Sequence, residues 1–140
     1  MTIPKSPLST SQALASNGMD AYTQRLKIAT QNMANAQSTA KTPDGKSYQR
    51  EVVTFKEKMD RNLGQKTVKA NKPVKDKSAF RTEYKPGHPA ADENGYVLMP
   101  NVDPMVEMMD VMEARNGHKR LASAYKMATT MKHTELKMMS

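Results

Sequence analysis

The segment from Leu8 to Ala36, LSTSQALASNGMDAYTQRLKIATQNMANA, decides the fold. Its apolar and small residues fall at Ala15, Met19, Tyr22, Leu26, Ala29, Met33 and Ala36, at intervals that alternate four and three. Leu8 lies one heptad before Ala15. This is the spacing of the seam along which one α-helix packs against another. Asn17, Asp20, Gln24, Lys27 and Gln31 repeat on the opposite face, so the helix is wet on one side and needs a partner on the other. The far C-terminal segment is the best partner within the chain.

Composition limits what else the chain can do. Only 37% of its 140 residues are hydrophobic and 5% aromatic, with no Trp, which is too little for a large private core and favours burial completed by neighbouring molecules. Cysteine is absent, which removes disulfides, thiolate metal sites and thiol catalysis. No apolar run approaches the length of a membrane span. Met1 to Gln12 contains Lys5 but no apolar core, so a cleaved secretory signal is not expected.

The net charge of +8 is blocked. Lys46 to Lys85 carries twelve bases against five acids, Asp92 to Glu113 carries six acids and no Lys or Arg, and Ala114 to Ser140 carries six bases and one acid. Blocks of opposite sign suit self-association as well as contact with a polyanion.

Pro4 and Pro7 are expected to hold the first residues extended, with Ser9, Thr10 or Ser11 capping a helix that runs to about Ala36. Pro43-Asp44-Gly45 reads as a turn. Tyr48 to Phe55 alternates and is rich in β-branched and aromatic residues, as a strand requires. From Lys56 to Ser78 the pattern weakens to a mobile, lysine-rich loop, with a short strand at Thr67-Val68-Lys69 that Lys72-Pro73 would interrupt. Phe80 to Tyr84 and Tyr96 to Met99 read as strands, separated by turns at Pro86-Gly87-His88-Pro89 and Asp92-Glu93-Asn94-Gly95. Asp103-Pro104 is a helix start. Met105, Met108, Met109 and Met112 mark its apolar face, read as core, as assembly contact, or as both. The stripe falters between Arg115 and Arg120, where Gly117 is expected to kink the helix or shift its register. It resumes at Leu121, Ala124, Ala128, Met131 and Met138.

Residues with chemistry to offer are few. His88, His118 and His133 lack ligand spacing, Asp92 and Glu93 have no nucleophile or base beside them, and the six glycines form no phosphate loop. No metal, cofactor, catalytic group or small-molecule substrate is expected, and the chain is not read as an enzyme. Lys66, Lys69, Lys72, Lys75 and Lys77 support one alternative, a basic nucleic-acid-associated protein with a helical dimerisation arm. No aromatic residues interleave with those lysines for stacking.

Asn32-Met33-Ala34-Asn35-Ala36-Gln37-Ser38-Thr39 resembles the Asn-x-Ala-Asn-Ala-x-Thr signature of bacterial flagellar rod and hook proteins, with one extra residue before the threonine. Ala13 to Met19 is similar to the same family's first helix, and Asn101-Val102-Asp103-Pro104-Met105-Val106-Glu107-Met108-Met109 to its C-terminal counterpart. The most discriminating piece runs from Tyr84 to Val102. Its Tyr84, Pro86, Gly87, His88, Pro89, Gly95, Tyr96, Met99, Pro100 and Asn101 resemble the segment that marks one proximal-rod member. In the last helix His118 stands where the family usually has a tyrosine and Leu121 where it has an asparagine.

The resemblance implies a structural subunit of the basal-body rod in the periplasmic space, exported without a cleaved signal and transmitting motor torque. It implies as partners the chain itself, the other rod proteins, the membrane–supramembrane ring and the export apparatus. The expected architecture is mainly α with a small β insert. An N-terminal assembly helix spans 1–40, a β-rich insert with the basic loop 41–100, and a C-terminal assembly helix 101–140, with the terminal helices pairing as a coiled coil. Met19, Tyr22, Leu26, Asn32, Met33, Asn35, Met105, Met109, Met112, Leu121 and Met131 are the expected assembly contacts. Asn32 and Asn35 serve equally well as helix-end caps. Free ends are expected to be loosely ordered and to become rigid on assembly.

Overall fold

The computed structural model describes residues 6–140; Pro4 and its expected role lie outside them. Two long helices, α1 (Pro7–Ala34) and α2 (Pro104–Met139), enclose a β segment in the chain. At about 1.5 Å per residue they are about 42 and 54 Å long. Ser6 caps α1 by accepting from the Ser9 N–H at 3.2 Å, and Pro7 is the first helical residue rather than part of an extended lead. Asp103 caps α2 through the Met105 N–H at 2.9 Å, as its Asp-Pro start requires.

The helices run antiparallel. Ser9 meets Lys132, Gln12 meets Thr129, Arg25 meets Asp110 and Asn32 meets Glu107. Their buried face keeps Ala15, Ala29 and Ala36 of the heptad expectation and departs from it elsewhere. On α1 the buried residues are Ala15, Gly18, Ala21, Ile28, Ala29 and Asn32, while Met19, Tyr22 and Leu26 are half-buried and Met33 is exposed. On α2 the buried residues are Glu107, Ala114, Gly117 and Ala128, while Met105, Met108, Met109 and Met112 face solvent. The reason is distance. Small side chains let two backbones approach closely, and the larger residues are displaced to the flanks. Gly117 does not end α2, which is continuous through it.

Between the helices lie β1 (Glu51–Val52), β2 (Phe55–Asp60), β3 (Gln65–Ala70), β4 (Val74–Lys75), β5 (Arg81–Tyr84) and β6 (Tyr96–Met99). The strand expected over Tyr48 to Phe55 is therefore short. The lysine-rich span expected as a loop forms a hairpin, with Phe55 opposite Ala70 and Asp60 opposite Gln65. Its turn is closed by the Asp60 carboxylate, which accepts from the Asn62 N–H, and by Gly64 at φ +63°. Glu51 pairs with Lys75 and Val52 with Val74, so β1 and β4 form a separate short antiparallel pair, set off from the hairpin by a stretch that includes Pro73, which has no N–H to donate.

β5 and β6 form a second hairpin, with Tyr84 opposite Tyr96 and their rings edge to face at 5.4 Å. Val97 and Met99 point into a small core with Ala90, bordered by Ala40 and Ala91. The first hairpin rests on α1, where Phe55 meets Tyr22 edge to face at 5.3 Å and Arg25 lies 5.9 Å over the Phe55 ring.

Candidate assembly interface

The helix pair closes through two reciprocal contacts. A Cβ added at Gly18 would lie 2.5 Å from Cδ1 of Leu121, and one added at Gly117 would lie 2.4 Å from Cζ of Tyr22. Each glycine is thus the socket for a large side chain of the other helix. Leu121 and Tyr22, expected as assembly contacts, therefore have at least part of their surface engaged inside the subunit. The sequence pattern assigns Gly117 only a kink or register shift and Gly18 no packing role; small residues three apart at Ala15, Gly18 and Ala21 are the available signal.

Asn32 is also internal. Its side-chain N–H groups donate to the Glu51 carbonyl at 2.8 Å and to Glu107 at 3.0 Å. Its oxygen accepts from the Tyr48 hydroxyl at 2.8 Å and the Glu51 N–H at 3.0 Å. All its amide hydrogen bonds are made within the chain, so none is left for a neighbour. Burial, and then the charge of Glu51, push the Tyr48 phenol above its ordinary value. Asn35 is the C-cap of α1, with its amide donating to the Gln31 carbonyl at 2.9 Å, so of its two readings the cap is the one seen.

Around Asn32 is a polar junction that no local pattern announces. Glu107 is 1% exposed and is held by Asn32 and by Arg50 Nε. Arg50 also reaches Asp76 at 3.3 Å and Asp110 at 3.7 Å, and Arg25 bridges Asp110 at 2.8 Å and Glu113 at 3.3 Å. Burial alone would lower the Arg50 pKa, but the hydrogen bond and charge of Glu107, then of Asp76, outweigh it and hold the guanidinium above its ordinary value. The junction ties α1, α2 and the β segment together at one place. Asn101 adds a second tie. Its oxygen accepts from the Arg50 N–H at 2.8 Å, and its amide donates to the Asp76 and Ser78 carbonyls at 3.1 Å.

Of the remaining expected residues, Met19 and Leu26 are half-buried and the others lie outside. Met105 is 71% and Met109 70% exposed, and Met33, Met112 and Met131 are exposed as well. Met19, Leu26 and Met33 repeat every seven residues along α1, and Met105 and Met112 do so along α2. Leu26 and Met112 meet in a hollow of about 410 Å³ lined only by helix residues, with Thr23, Arg115 and Lys119 at its margin. His118 lines the same hollow.

The residues from Tyr84 to Asn101 build the second hairpin and its turns. His88 Nδ1 accepts from the Ala90 N–H at 3.0 Å, which places the ring proton on Nε2, 3.2 Å from the Thr39 hydroxyl. His88 thereby fastens the turn to the segment that follows α1. Gly95 needs its φ of +82° and abuts Tyr84 and Pro86. Pro86, Gly87 and Pro89 are exposed in the turn, Tyr84 and Tyr96 are exposed partners, and Met99 and Pro100 are buried.

Among the described residues no group of three or more metal-ligating side chains is placed to hold an ion, and no helix is long and apolar enough to cross a membrane. No protein-family model matches the chain. It is similar to the flagellar basal-body rod protein FlgC of Agrobacterium fabrum, at 43% identity over 112 residues, covering 80% of this chain and 81% of the relative. It is 38% identical over 108 residues to FlgC of Salmonella typhimurium, covering 76% and 78%. To FlgC of Aquifex aeolicus it is 30% identical over 113 residues, covering 80% and 82%.

Proposed function

The chain belongs to the FlgC family of flagellar basal-body rod proteins and is a structural subunit of the rod, and on that premise we propose how it assembles. The outward apolar flanks of α1 and α2 pair, as coiled coils, with helices of neighbouring copies and of other rod proteins. The single observation that carries this reading is the division of apolar residues. The helix pair shuts on Ala15, Gly18, Ala21, Ala114 and Gly117, and leaves Met33, Met105, Met109, Met112 and Met131 in water. Exposed apolar surface repeated along a helix marks a contact face. Methionine suits it, because a flexible thioether adapts to the unequal contacts of a helical lattice.

Burying such a face stabilises the polymer at about 25 cal/mol per Å² of apolar surface removed from water. A rod held this way along two long helices transmits motor torque from subunit to subunit. The proposal places the chain in the periplasmic part of the rod, reached through the flagellar export apparatus without a cleaved signal. The export apparatus and membrane–supramembrane ring are neighbours at its base. The insert 41–100 acts as a lateral module and the segments 1–40 and 101–140 as the assembly helices. The relatives are rod proteins, so the nucleic-acid alternative is not carried forward.

The test is Met109→Asp in a motile strain. The side chain is exposed, so the subunit is expected to fold with unchanged helicity. Isolated basal bodies should lack the variant, and swimming should be lost. Normal incorporation would overturn the reading.

A further inference from the structure

The sulfur of this chain lies mostly on its outside. Cysteine is absent, so thioethers are the only sulfur it carries. Among the described residues the buried apolar set holds one methionine, Met99, at 1% exposure in the small core of the second hairpin. The buried apolar residues of the helix pair are alanine, glycine and isoleucine. The outward face of α2 is the reverse case. Met105, Met109 and Met112 recur at i, i+4 and i+7, about half a helical turn from the buried Glu107 and Ala114. Between Pro104 and Glu113 the exposed large apolar side chains are these three, Met108 and Val106. The apolar character of that face therefore rests on a group that a mild oxidant makes polar.

Oxidation acts differently on the fold and on the face. A thioether in water is open to a peroxide. The sulfur lone pair takes one oxygen, the O–O bond breaks, sulfur loses two electrons, and the other oxygen leaves as water or an alcohol. The resulting sulfoxide is polar and resists burial against apolar side chains. Ala15, Gly18, Ala114 and Gly117 offer nothing to oxidise, and Met99 is covered, so the subunit keeps its internal contacts while the outward face loses its apolar surface. Packed against a neighbour, the same sulfurs are shielded.

We propose that Met105, Met109 and Met112 form a reversible oxidation site on the free subunit: peroxide converts them to sulfoxides and withholds the subunit from the rod, and a dithiol-dependent methionine sulfoxide reductase restores it. In the return step the dithiol gives up two electrons and becomes a disulfide, and the sulfoxide oxygen leaves as water. The proposal rests on the helical assembly reading above and adds a chemical control to it. A soft, adaptable contact face also explains methionine, but that role asks nothing of a reductase.

The experiment adds limiting hydrogen peroxide to the free full-length protein and to isolated basal bodies, and locates sulfoxides by peptide mass spectrometry. In the free subunit Met105, Met109 and Met112 should oxidise about tenfold or more faster than Met99, with helicity and thermal midpoint retained. In basal bodies the same three should be protected. The two epimer-specific reductases with dithiothreitol should return the original peptide masses. Cells lacking both reductases then carry either the wild-type chain or Met105→Leu/Met109→Leu/Met112→Leu. Basal bodies are counted with and without sublethal peroxide, each strain against its own untreated culture. The wild-type count should fall several-fold and that of the triple variant should hold.

Equal falls in the two strains overturn the proposal. So does oxidation of the three residues no faster than that of Met99, unfolding of the oxidised subunit, or failure of the reductases to restore the thioethers. Met105→Gln/Met109→Gln/Met112→Gln makes the face polar without peroxide and separates the two readings. Its normal incorporation into basal bodies would sink the assembly reading and this inference together. Its exclusion, with equal falls in the two peroxide-treated strains, would sink the oxidation site alone.

Discussion

The ring of Tyr22 lies over Gly117, so close that a Cβ at position 117 would fall 2.4 Å from Cζ and 2.5 Å from Cε1. The pair is one of two close approaches between the helices, and it is matched four residues away by Gly18 under Leu121.

Gly117→Ala is therefore expected to destabilise the subunit. The helix gains up to about 1 kcal/mol in propensity. Overpacking a rigid ring costs about 1–3 kcal/mol. Gly18→Ala should cost less, because the atom in its way is the end of a flexible leucine side chain. Thermal unfolding of the two variants measures the order, and adding Tyr22→Leu to Gly117→Ala should recover stability.

Asn32→Ala removes four hydrogen bonds at a buried site and leaves Glu107 with one donor fewer. A loss of about 2–4 kcal/mol is expected in urea unfolding, from unmet buried polar groups. Arg50→Ala should cost about 3–5 kcal/mol, since it strands a buried carboxylate. In Arg50→Ala/Glu107→Met the loss should shrink markedly, which would show that the buried charge, not lost packing, dominates.

Asp76 sets an acid limit. The Ser78 backbone N–H, 2.9 Å away, holds its carboxyl below the ordinary value of 3.8. Burial opposes this, while the Ser78 hydroxyl and Arg50 add to the lowering. A group with a depressed folded pKa contributes stability in full above its unfolded value and loses it as pH falls through the folded one. Stability should thus fall from about pH 4 downward, and less steeply in Asp76→Asn. Chemical unfolding at a series of pH values reads the difference in slope.

The expectation that free ends are loosely ordered becomes a measurement on α2. Glu135 to Met139 carry only exposed side chains, whereas Ala114 and Gly117 are buried. Amide exchange in the free subunit should be fastest in the last turns of α2 and slowest near Ala114, and assembly into rods should slow the last turns most. Uniform protection along α2 in the free subunit would remove order gained on assembly from the account.

Much of the fold was legible because it is local. Asp103-Pro104 starts α2 through a cap and a proline, and the alternation at Tyr96 to Met99 is the strand β6. Other features were not. The hairpin over Lys56 to Ala70 was hidden by lysines on both of its faces, which erase the alternation a strand normally shows. Arg50 and Glu107 are 57 residues apart, and nothing near either one points to the other. Of the α1 seam, Ala15, Ala29 and Ala36 are buried as expected, whereas Met19, Tyr22, Leu26 and Met33 lie one notch away from the buried face.

That notch separates the two levels of information. Helix positions, the Asp103 cap of α2, the second hairpin and the family follow from neighbours in the chain, since propensity, capping and turn chemistry act over a few residues; the cap of α1 falls on Ser6, with Ser9, Thr10 and Ser11 inside the helix. Which stripe of each helix is hidden does not. Turning a helix by one residue keeps the period and changes only the side chains at the contact. Gly18 and Gly117 settle the choice when the two backbones meet, because they admit Leu121 and Tyr22 at a distance no larger residue allows. The methionines are then left facing outward.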